Sequence, residues 1–300
     1  MTAMRVGDTV GRFRLERALG QGPTSEVFLA IEPTLCWKVA VKVFVPEPVS
    51  FAYDHARWSQ RMVREATTAS SFRHPNAVVV HEVGQWQGSP YLARDFIEGK
   101  ALGEYVADVS PAARGWKLRW LLELAEVLAA IHTSGLVHRN VKPSGAVIRR
   151  DGQLKLLDFG IARRSVDRAA GIATPSMMPG PAESSGQYRP LPAHSVGADG
   201  AYMSPEQLGH LRVDPRTDQF GWAVTAFELL SGRLPWGPGL APVPLIEAVL
   251  TAPAPRLSTR TAGIAPALDD LVARCLAKDP SERWPTMDAV VLELRRISGS

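Results

Sequence analysis

The 300-residue sequence has few cysteines, little net charge and no long uninterrupted apolar run. Cys36 and Cys275 stand far apart within apolar stretches, so we expect two buried, reduced thiols and neither a disulfide nor a metal site. The net charge is +4, and lysine and arginine are scattered along the chain, which argues against a nucleic-acid partner. The amino-terminal stretch lacks the apolar core of a signal peptide. These absences predict a cytoplasmic protein.

The longest apolar window, "LRWLLELAEVLAAIH", is interrupted by charges. Arg119, Glu123 and Glu126 recur three to four residues apart, which places them on one face of a helix. The pattern predicts an amphipathic helix in a protein without a membrane partner.

The hydrophobic periodicity divides the chain into two regions. Residues 13–97 consist mostly of short β-branched runs, with one helical segment near "RWSQRMVREATTASSF". Longer segments with a helical period follow, at 116–132, 218–230, 245–250, 267–276 and 286–297. We predict a small, mainly β lobe (1–97) and a larger, mainly helical lobe (98–300). Within the second, residues 164–196 are rich in Pro, Gly and Ser and predict a long flexible loop.

Three weak signals lie in the first region. Gly20 and Gly22 of "LGQGPTSEVFLA" stand in a predicted strand-turn-strand, where absent side chains let backbone amides approach phosphates. Glycine pairs in hairpins are mostly simple turns, and Pro23 removes one amide donor. Lys42 ends the strand "VAVK", and Glu65 lies in the helical segment. Each alone is an ordinary surface charge, but together they are a candidate ion pair.

Stronger signals lie in the second region. "HRNVKPSGAV" begins at His138, and "LKLLDFGIAR" follows with Asp158 after a predicted strand. This order and spacing are hard to reach by chance. Downstream, "YMSPEQ" contains Glu206, "TDQFGW" contains Asp218 and "KDPSERWP" contains Arg283.

Together the motifs resemble bacterial serine/threonine protein kinases of the eukaryotic-like family, over about residues 13–297. The resemblance implies an α+β fold of two lobes with ATP in the cleft. It implies that Lys42 holds the α- and β-phosphates and pairs with Glu65, that Asp158 binds Mg²⁺, and that Lys142 reaches the transferred phosphate. The nucleotide site would be completed by Gly20, Gly22, Val27, Ala40, Arg94, Asp95, Ile97 and Val147.

The resemblance also implies two structural roles. Glu206 would form an ion pair with Arg283, and Asp218 would support the backbone around His138 and Arg139. Both are scaffold roles, because a buried charge must be paired to be tolerated.

Four positions depart from the family pattern. Asn140 replaces the aspartate that orients the substrate hydroxyl and accepts its proton, and an amide has no charge and negligible basicity. Gly145 replaces the asparagine that holds the second metal ion. Arg94 stands at the gatekeeper position behind the adenine, near Glu65, Lys42 and Asp158 on the family's geometry. Asp199 stands where such kinases commonly carry threonine.

These departures predict a pseudokinase: a regulatory or scaffolding module that binds a protein partner such as an active kinase or signalling protein. ATP binding would be weak, with magnesium at a single site. The alternative is a serine/threonine kinase of low activity, in which positioning suffices and Arg94 pairs with Glu65 or points out of the cleft. A small-molecule phosphotransferase is disfavoured by the protein-kinase features of the helical lobe. The 164–196 loop, with Ser165, Thr174, Ser176, Ser184 and Ser185, is a candidate for phosphorylation, and an unmodified spacer is the alternative.

Overall fold

The structure is a computed structural model that describes residues 4–22, 25–45, 55–157, 163–164, 198–237 and 241–299. Asp158 and residues 165–196 of the predicted loop lie outside the described residues. The described strands are β1 (Thr9–Val10), β2 (Phe13–Gly22), β3 (Ser25–Glu32), β4 (Trp37–Phe44), β5 (Val80–Trp86), β6 (Ser89–Asp95), β7 (Gly99–Ala101), β8 (Leu136–Val137), β9 (Ala146–Arg149), β10 (Leu154–Leu156) and β11 (Arg163–Arg164). The described α-helices are α1 (His55–Ser70), α2 (Pro111–Thr133), α3 (Pro205–Leu208), α4 (Arg216–Ser231), α5 (Pro242–Thr251), α6 (Pro266–Cys275) and α7 (Met287–Ser298).

The chain forms two compact units. The first comprises Met1–Glu98 and Ile161–Arg163, and the second comprises Gly99–Gly160 and Arg164–Ser300. The predicted helical segments are present, and each helix begins or ends within a few residues of the predicted position except for α2, which begins five residues earlier, at Pro111. Ser110 caps α2 by accepting a hydrogen bond from the Ala113 amide, and Pro111 suits the first helical turn.

The first unit is built on a six-stranded sheet in the order β1-β2-β3-β4-β6-β5. Successive side chains of a strand point to opposite faces, so each face has its own core. One face buries Phe13, Phe28, Val39, Val41, Val43, Tyr91 and Ala93. The other face, formed by Phe44, Val80 and Leu92, packs against Trp58 and Met62 of α1.

The second unit is helical around α4, which is buried along nearly its whole length. A Cβ on Gly221 would lie 3.0 Å from the carbonyl oxygen of Val141 and 3.1 Å from its Cβ. Glycine therefore allows the segment that contains Val141 to lie directly against α4. A separate three-stranded sheet, β10-β9-β7, lies in the same unit.

The predicted amphipathic helix is α2, and its charged face is as expected. Arg119 Nε lies 3.7 Å from Glu123 Oε1 on that face. Among the described residues, none of the helices combines the length and the apolar character needed to cross a bilayer.

The prediction of two buried cysteines was half wrong. Cys275 is buried at the end of α6, but Cys36 is exposed. Leu35 and Cys36 both lie in the turn that joins β3 and β4, where Cys36 has a φ of 51°, and β4 begins only at Trp37. The apolar residues that flank Cys36 in sequence therefore did not predict whether the turn is buried.

Candidate functional site

The glycine-rich segment is an open antiparallel hairpin of β2 and β3. Gly20 is paired with Val27 and Gly22 with Ser25. A Cβ on Gly20 would meet no atom within 4 Å, and one on Gly22 would meet Ser25 Oγ at 3.6 Å. The glycines therefore leave this edge of the hairpin bare, so a ligand can approach the backbone. Pro23, at the tip, lies outside the described residues.

Lys42, Ala40 and Arg94 share one face of the sheet. Ala40 is paired with Arg94 and Lys42 with Leu92, and cross-strand partners point to the same side. This is the α1 face, because Leu92 belongs to the core that packs on α1. Lys42 is paired on its other side with Val27, and its Nζ lies 5.5 Å from the centre of the Phe44 ring.

Arg94 is buried, with only 5% of its surface exposed. The sheet thus places the permanently charged Arg94 diagonally across from Lys42, on the same face. A buried guanidinium must be compensated by carboxylates, carbonyls or a ligand anion.

Glu65 lies on the sheet side of α1 and is bound by Arg61 of the same helix. Arg61 Nε donates to Glu65 Oε1 over 2.9 Å, and both side chains are largely buried, at 15% and 13% exposed. Trp58, Met62 and Glu65 recur at helical spacing, so Glu65 lies on the side of α1 that faces the strands of Lys42 and Arg94.

Asp95 and Ile97, which the family resemblance places at the hinge, end β6 and follow it. The Asp95 carboxylate lies 2.7 Å from His81 Nε2 and accepts a hydrogen bond from the Val79 amide over 3.2 Å. His81 in turn packs edge-on against Trp37, with ring centres 4.1 Å apart. The carboxylate of Asp95 is thus engaged within the first unit, and its backbone amide donates to the carbonyl of Val79 over 3.0 Å.

In the second unit, Asp218 holds the backbone of the loop that begins at His138. It accepts hydrogen bonds from the His138 amide at 2.8 Å and the Arg139 amide at 2.7 Å. This confirms its predicted scaffold role. A third contact comes from His132, whose Nε2 lies 2.7 Å from Oδ2 of Asp218. Gln207 adds a further contact by donating to the carbonyl of Arg139 over 2.8 Å.

The environment of Asp218 stabilises its ionised form. Complete burial raises the pKa of the carboxyl group, but the hydrogen bond and charge of His132, the nearby His138 and the Arg139 amide outweigh burial. The pKa of Asp218 therefore lies below its ordinary value. The loop backbone is thus anchored to a carboxylate that remains charged at neutral pH.

Asn140, Lys142 and Gly145 lie on this anchored loop. Val141 between them is buried, at 2% exposed, and lies against Gly221 of α4, whereas Asn140 and Lys142 are half-buried. Gly145 ends a short 3-10 turn, and its carbonyl oxygen accepts from the Leu157 amide over 2.8 Å. Val147 follows in β9, paired with Lys155 of β10.

Glu206 and Arg283 form the predicted ion pair. Two bonds of 2.7 and 2.8 Å join the guanidinium to the carboxylate, and the side chains are 4% and 0% exposed. Thr217 Oγ1 also donates to Glu206 over 2.6 Å, and Arg283 donates to three backbone carbonyls. The pair fastens α3 to the segment before α7.

The described residues do not fit the two-metal site of the family. Gly145 has no side-chain oxygen at the position where the family's asparagine holds the second metal ion. The one strong oxygen ligand that the sequence predicts, Asp158, lies outside the described residues. Elsewhere in the described ranges, three or more His, Cys, Asp or Glu side chains nowhere converge in a way that would hold a metal ion.

The fold and these site residues define a protein with the α+β kinase fold, with a β-sheet first unit and a helical second unit. The family model for the protein kinase domain matches residues 13–293. The chain belongs to the protein kinase family.

Three characterised relatives show the breadth of the similarity. Serine/threonine-protein kinase PknJ of Mycobacterium tuberculosis is 33% identical over 289 residues, which are 94% of this chain and 44% of the relative. Kinase pkn2 of Myxococcus xanthus is 35% identical over 91% of this chain and 31% of its own length. PknB of Mycolicibacterium smegmatis is 30% identical over 95% of this chain and 43% of its own length. The chain therefore spans less than half the length of these relatives.

Sequence reasoning missed several residues that shape the site. The Arg61–Glu65 pair has a readable signal, since opposite charges four residues apart on a helix are neighbours. His132 has none, because it lies 86 residues before Asp218 in sequence. The same holds for His81 and for Gln207, which reach their partners only through the tertiary fold.

Proposed function

We propose that this chain is a kinase-family regulatory or scaffolding module in which phosphoryl transfer is lost or strongly reduced. One observation carries the proposal: the catalytic loop is anchored by Asp218, but Asn140 and Gly145 stand where the reactive groups are needed. Transfer requires little beyond positioning, charge neutralisation and a carboxylate that orients the hydroxyl. Without that carboxylate, an anchored loop loses the general-base contribution to the rate of transfer, which is roughly a hundred- to ten-thousand-fold.

We propose further that ATP binds weakly, with magnesium at no more than the Asp158 position. Support comes from the first unit, where Arg94 is buried on the same face as Lys42. A guanidinium on that face competes with Lys42 for the carboxylate of Glu65. The exposed free thiol of Cys36 suits a reducing compartment, so we also propose a cytoplasmic location.

The second candidate is a serine/threonine protein kinase of low activity. The comparisons with known proteins favour this candidate over the first, because each relative described above is named as such a kinase. Lys42 and Lys142, which hold phosphates in the family, are also present. In this case positioning alone supports transfer of the ATP γ-phosphate to protein substrates.

A transfer assay separates the two candidates. Purified chain is incubated with γ-labelled ATP and Mg²⁺, alone and with generic basic protein substrates, beside the variant Lys42→Ala. The proposal expects no labelling above that of the variant. Robust labelling by the unmodified chain that disappears in Lys42→Ala would establish the kinase instead.

A further inference from the structure

Side chains from two helices hold the peptide groups on both sides of Arg139. The Arg139 amide donates to Asp218 Oδ1 of α4 over 2.7 Å, and the Arg139 carbonyl accepts from Gln207 Nε2 of α3 over 2.8 Å. Between these two bonds the backbone of Arg139 has a φ of 67°, in the left-handed region that residues with a Cβ rarely adopt. Such a conformation persists only where surrounding contacts hold it. The two helices therefore stabilise a backbone conformation that the loop disfavours by itself.

The bond from Gln207 also constrains the backbone of Asn140. The carbonyl of Arg139 and the amide of Asn140 are the two ends of one planar peptide group, so a bond that orients one end orients the other. At the second end, the Asn140 amide donates to His138 Nδ1 over 3.3 Å. The peptide group that leads into residue 140 is thus held at both ends, and the shorter of these two bonds comes from outside the loop.

Gln207 is itself oriented by contacts within its own segment. Its Oε1 accepts from the amide of Ser204 over 3.0 Å and from the hydroxyl of Ser204 over 3.3 Å, which leaves Nε2 to donate to the carbonyl of Arg139. The preceding residue, Glu206, belongs to the buried ion pair with Arg283. The donor to the loop is therefore fixed both by its own hydrogen bonds and by the anchoring of α3.

We propose that Gln207 is a positioning residue of the transfer site, which holds residue 140 in place through the carbonyl of Arg139. This inference rests on the proposed function, because it attributes the loss of transfer to the chemistry of Asn140 and not to a displaced loop. Glutamine suits the role, since its amide group both accepts and donates a hydrogen bond. A glutamate would still accept from the amide of Ser204, but it would place a carboxylate oxygen against the carbonyl oxygen of Arg139.

The first test measures amide hydrogen exchange by NMR in the unmodified chain and in Gln207→Glu. This substitution keeps the shape of the side chain and replaces the donor to the Arg139 carbonyl by an acceptor. We expect the amides of Arg139 and Asn140 to exchange about ten-fold faster or more in the variant, because the peptide group between them has lost a hydrogen bond. Unchanged exchange at both amides would overturn the proposal.

Two controls separate this bond from general effects of charge and stability. Gln87→Glu makes the same change of charge at an exposed residue of the first unit, and Thr286→Ala removes the side-chain cap of α7 and so lowers stability at another helix. Neither control should change exchange at Arg139 or Asn140, and a comparable acceleration in either would contradict the assignment. If thermal melting shows that Gln207→Glu is unfolded, Gln207→Met decides, because it removes the donor without adding a charge.

The second test measures phosphoryl transfer in the variant that restores the family's loop residues, Asn140→Asp with Gly145→Asn. Adding Gln207→Glu to this variant should lower kcat by about ten-fold and leave the KM for ATP unchanged, because Gln207 acts on residue 140 through the backbone and not on the nucleotide. An equal kcat with and without Gln207→Glu, or a change in KM alone, would overturn the proposal. If the restored variant transfers no phosphate, the exchange measurement decides.

Failure here and failure of the proposed function are distinguishable. Robust phosphate transfer by the unmodified chain would refute the proposed function, whatever Gln207→Glu does to the exchange of the loop amides. Conversely, a chain that transfers no phosphate, and whose loop amides exchange equally fast in Gln207→Glu, would refute only this inference.

Discussion

A side chain at position 145 would have the carbonyl oxygen of Asn140 as its first neighbour, 3.9 Å from a Cβ built on Gly145. This is an ordinary van der Waals distance, so the described part of the loop leaves room for a Cβ at position 145. The described backbone therefore does not by itself exclude a side chain there.

Restoring both loop residues should raise phosphoryl transfer. We expect Asn140→Asp with Gly145→Asn to increase labelling from γ-labelled ATP by roughly a hundred-fold or more over the unmodified chain, as restored base and ligand serve one transition state. Each single change should raise labelling much less than the double change does, because the two groups act together. A double variant that labels no better than either single variant would count against these residues as the cause of inactivity.

Removing the buried guanidinium should strengthen nucleotide binding. Arg94→Met keeps an unbranched side chain and removes its charge, so Arg94 no longer competes with Lys42 for the Glu65 carboxylate. Opposite charges at close range interact by about 4 kcal/mol at an effective dielectric near 20, before desolvation, so we expect at least a ten-fold gain in ATP affinity. Calorimetry with and without Mg²⁺ measures this gain.

The control for that measurement is Arg64→Met, which removes an exposed arginine from the same helix as Glu65. It should leave ATP affinity unchanged. Tight, magnesium-dependent binding by the unmodified chain that Arg94→Met does not alter would show that Arg94 has no influence on the nucleotide site.

The Glu206–Arg283 pair should dominate local stability. Arg283→Met leaves the buried Glu206 carboxylate without its charged partner and three partly buried carbonyls without the guanidinium as donor, so we expect the free energy of unfolding to fall by about 3–5 kcal/mol. The matched control is Arg295→Met, which breaks the Arg295–Glu126 pair, with side chains 60% and 28% exposed. Arg295→Met should lower the free energy of unfolding by less than about 1 kcal/mol. Urea denaturation measures the free energy of unfolding of both variants. Equal losses in the two variants would refute the role of burial.

Lys278 should make stability rise with pH in the alkaline range. Burial, and then the charge of Arg283, lowers the pKa of Lys278 from 10.5 to about 8. Between these values the unfolded chain holds a proton that the folded chain has lost, so the free energy of unfolding increases with pH. Relative to Lys278→Met, the unmodified chain should gain about 2 kcal/mol from about pH 8 to about pH 10.

Urea denaturation at the two pH values measures this gain, and Lys38→Met serves as the exposed control. The unmodified chain should show no such gain relative to Lys38→Met. A difference between the unmodified chain and Lys278→Met that is constant or falls with pH would contradict the lowered pKa.

The sequence by itself determined the family, the order of the elements and the two departures in the loop. Helical and strand periods are local, so α1, α4 and the β2–β3 hairpin were predictable from their own residues. Asn140 and Gly145 could be identified because the motif around them has fixed spacing. The Glu206–Arg283 pair and the contacts of Asp218 with the backbone at His138 and Arg139 followed from the family resemblance.

Only the tertiary structure decided which groups compensate each charge and which surfaces are buried. His132 reaches Asp218 across 86 residues of sequence, and no local pattern encodes that contact. Arg94 is buried because strand pairing places it opposite Ala40 on the face that α1 covers, whereas Cys36 is exposed because it lies in the turn between β3 and β4. Burial and charge pairing depend on contacts between distant segments, and these exist only once the chain has folded.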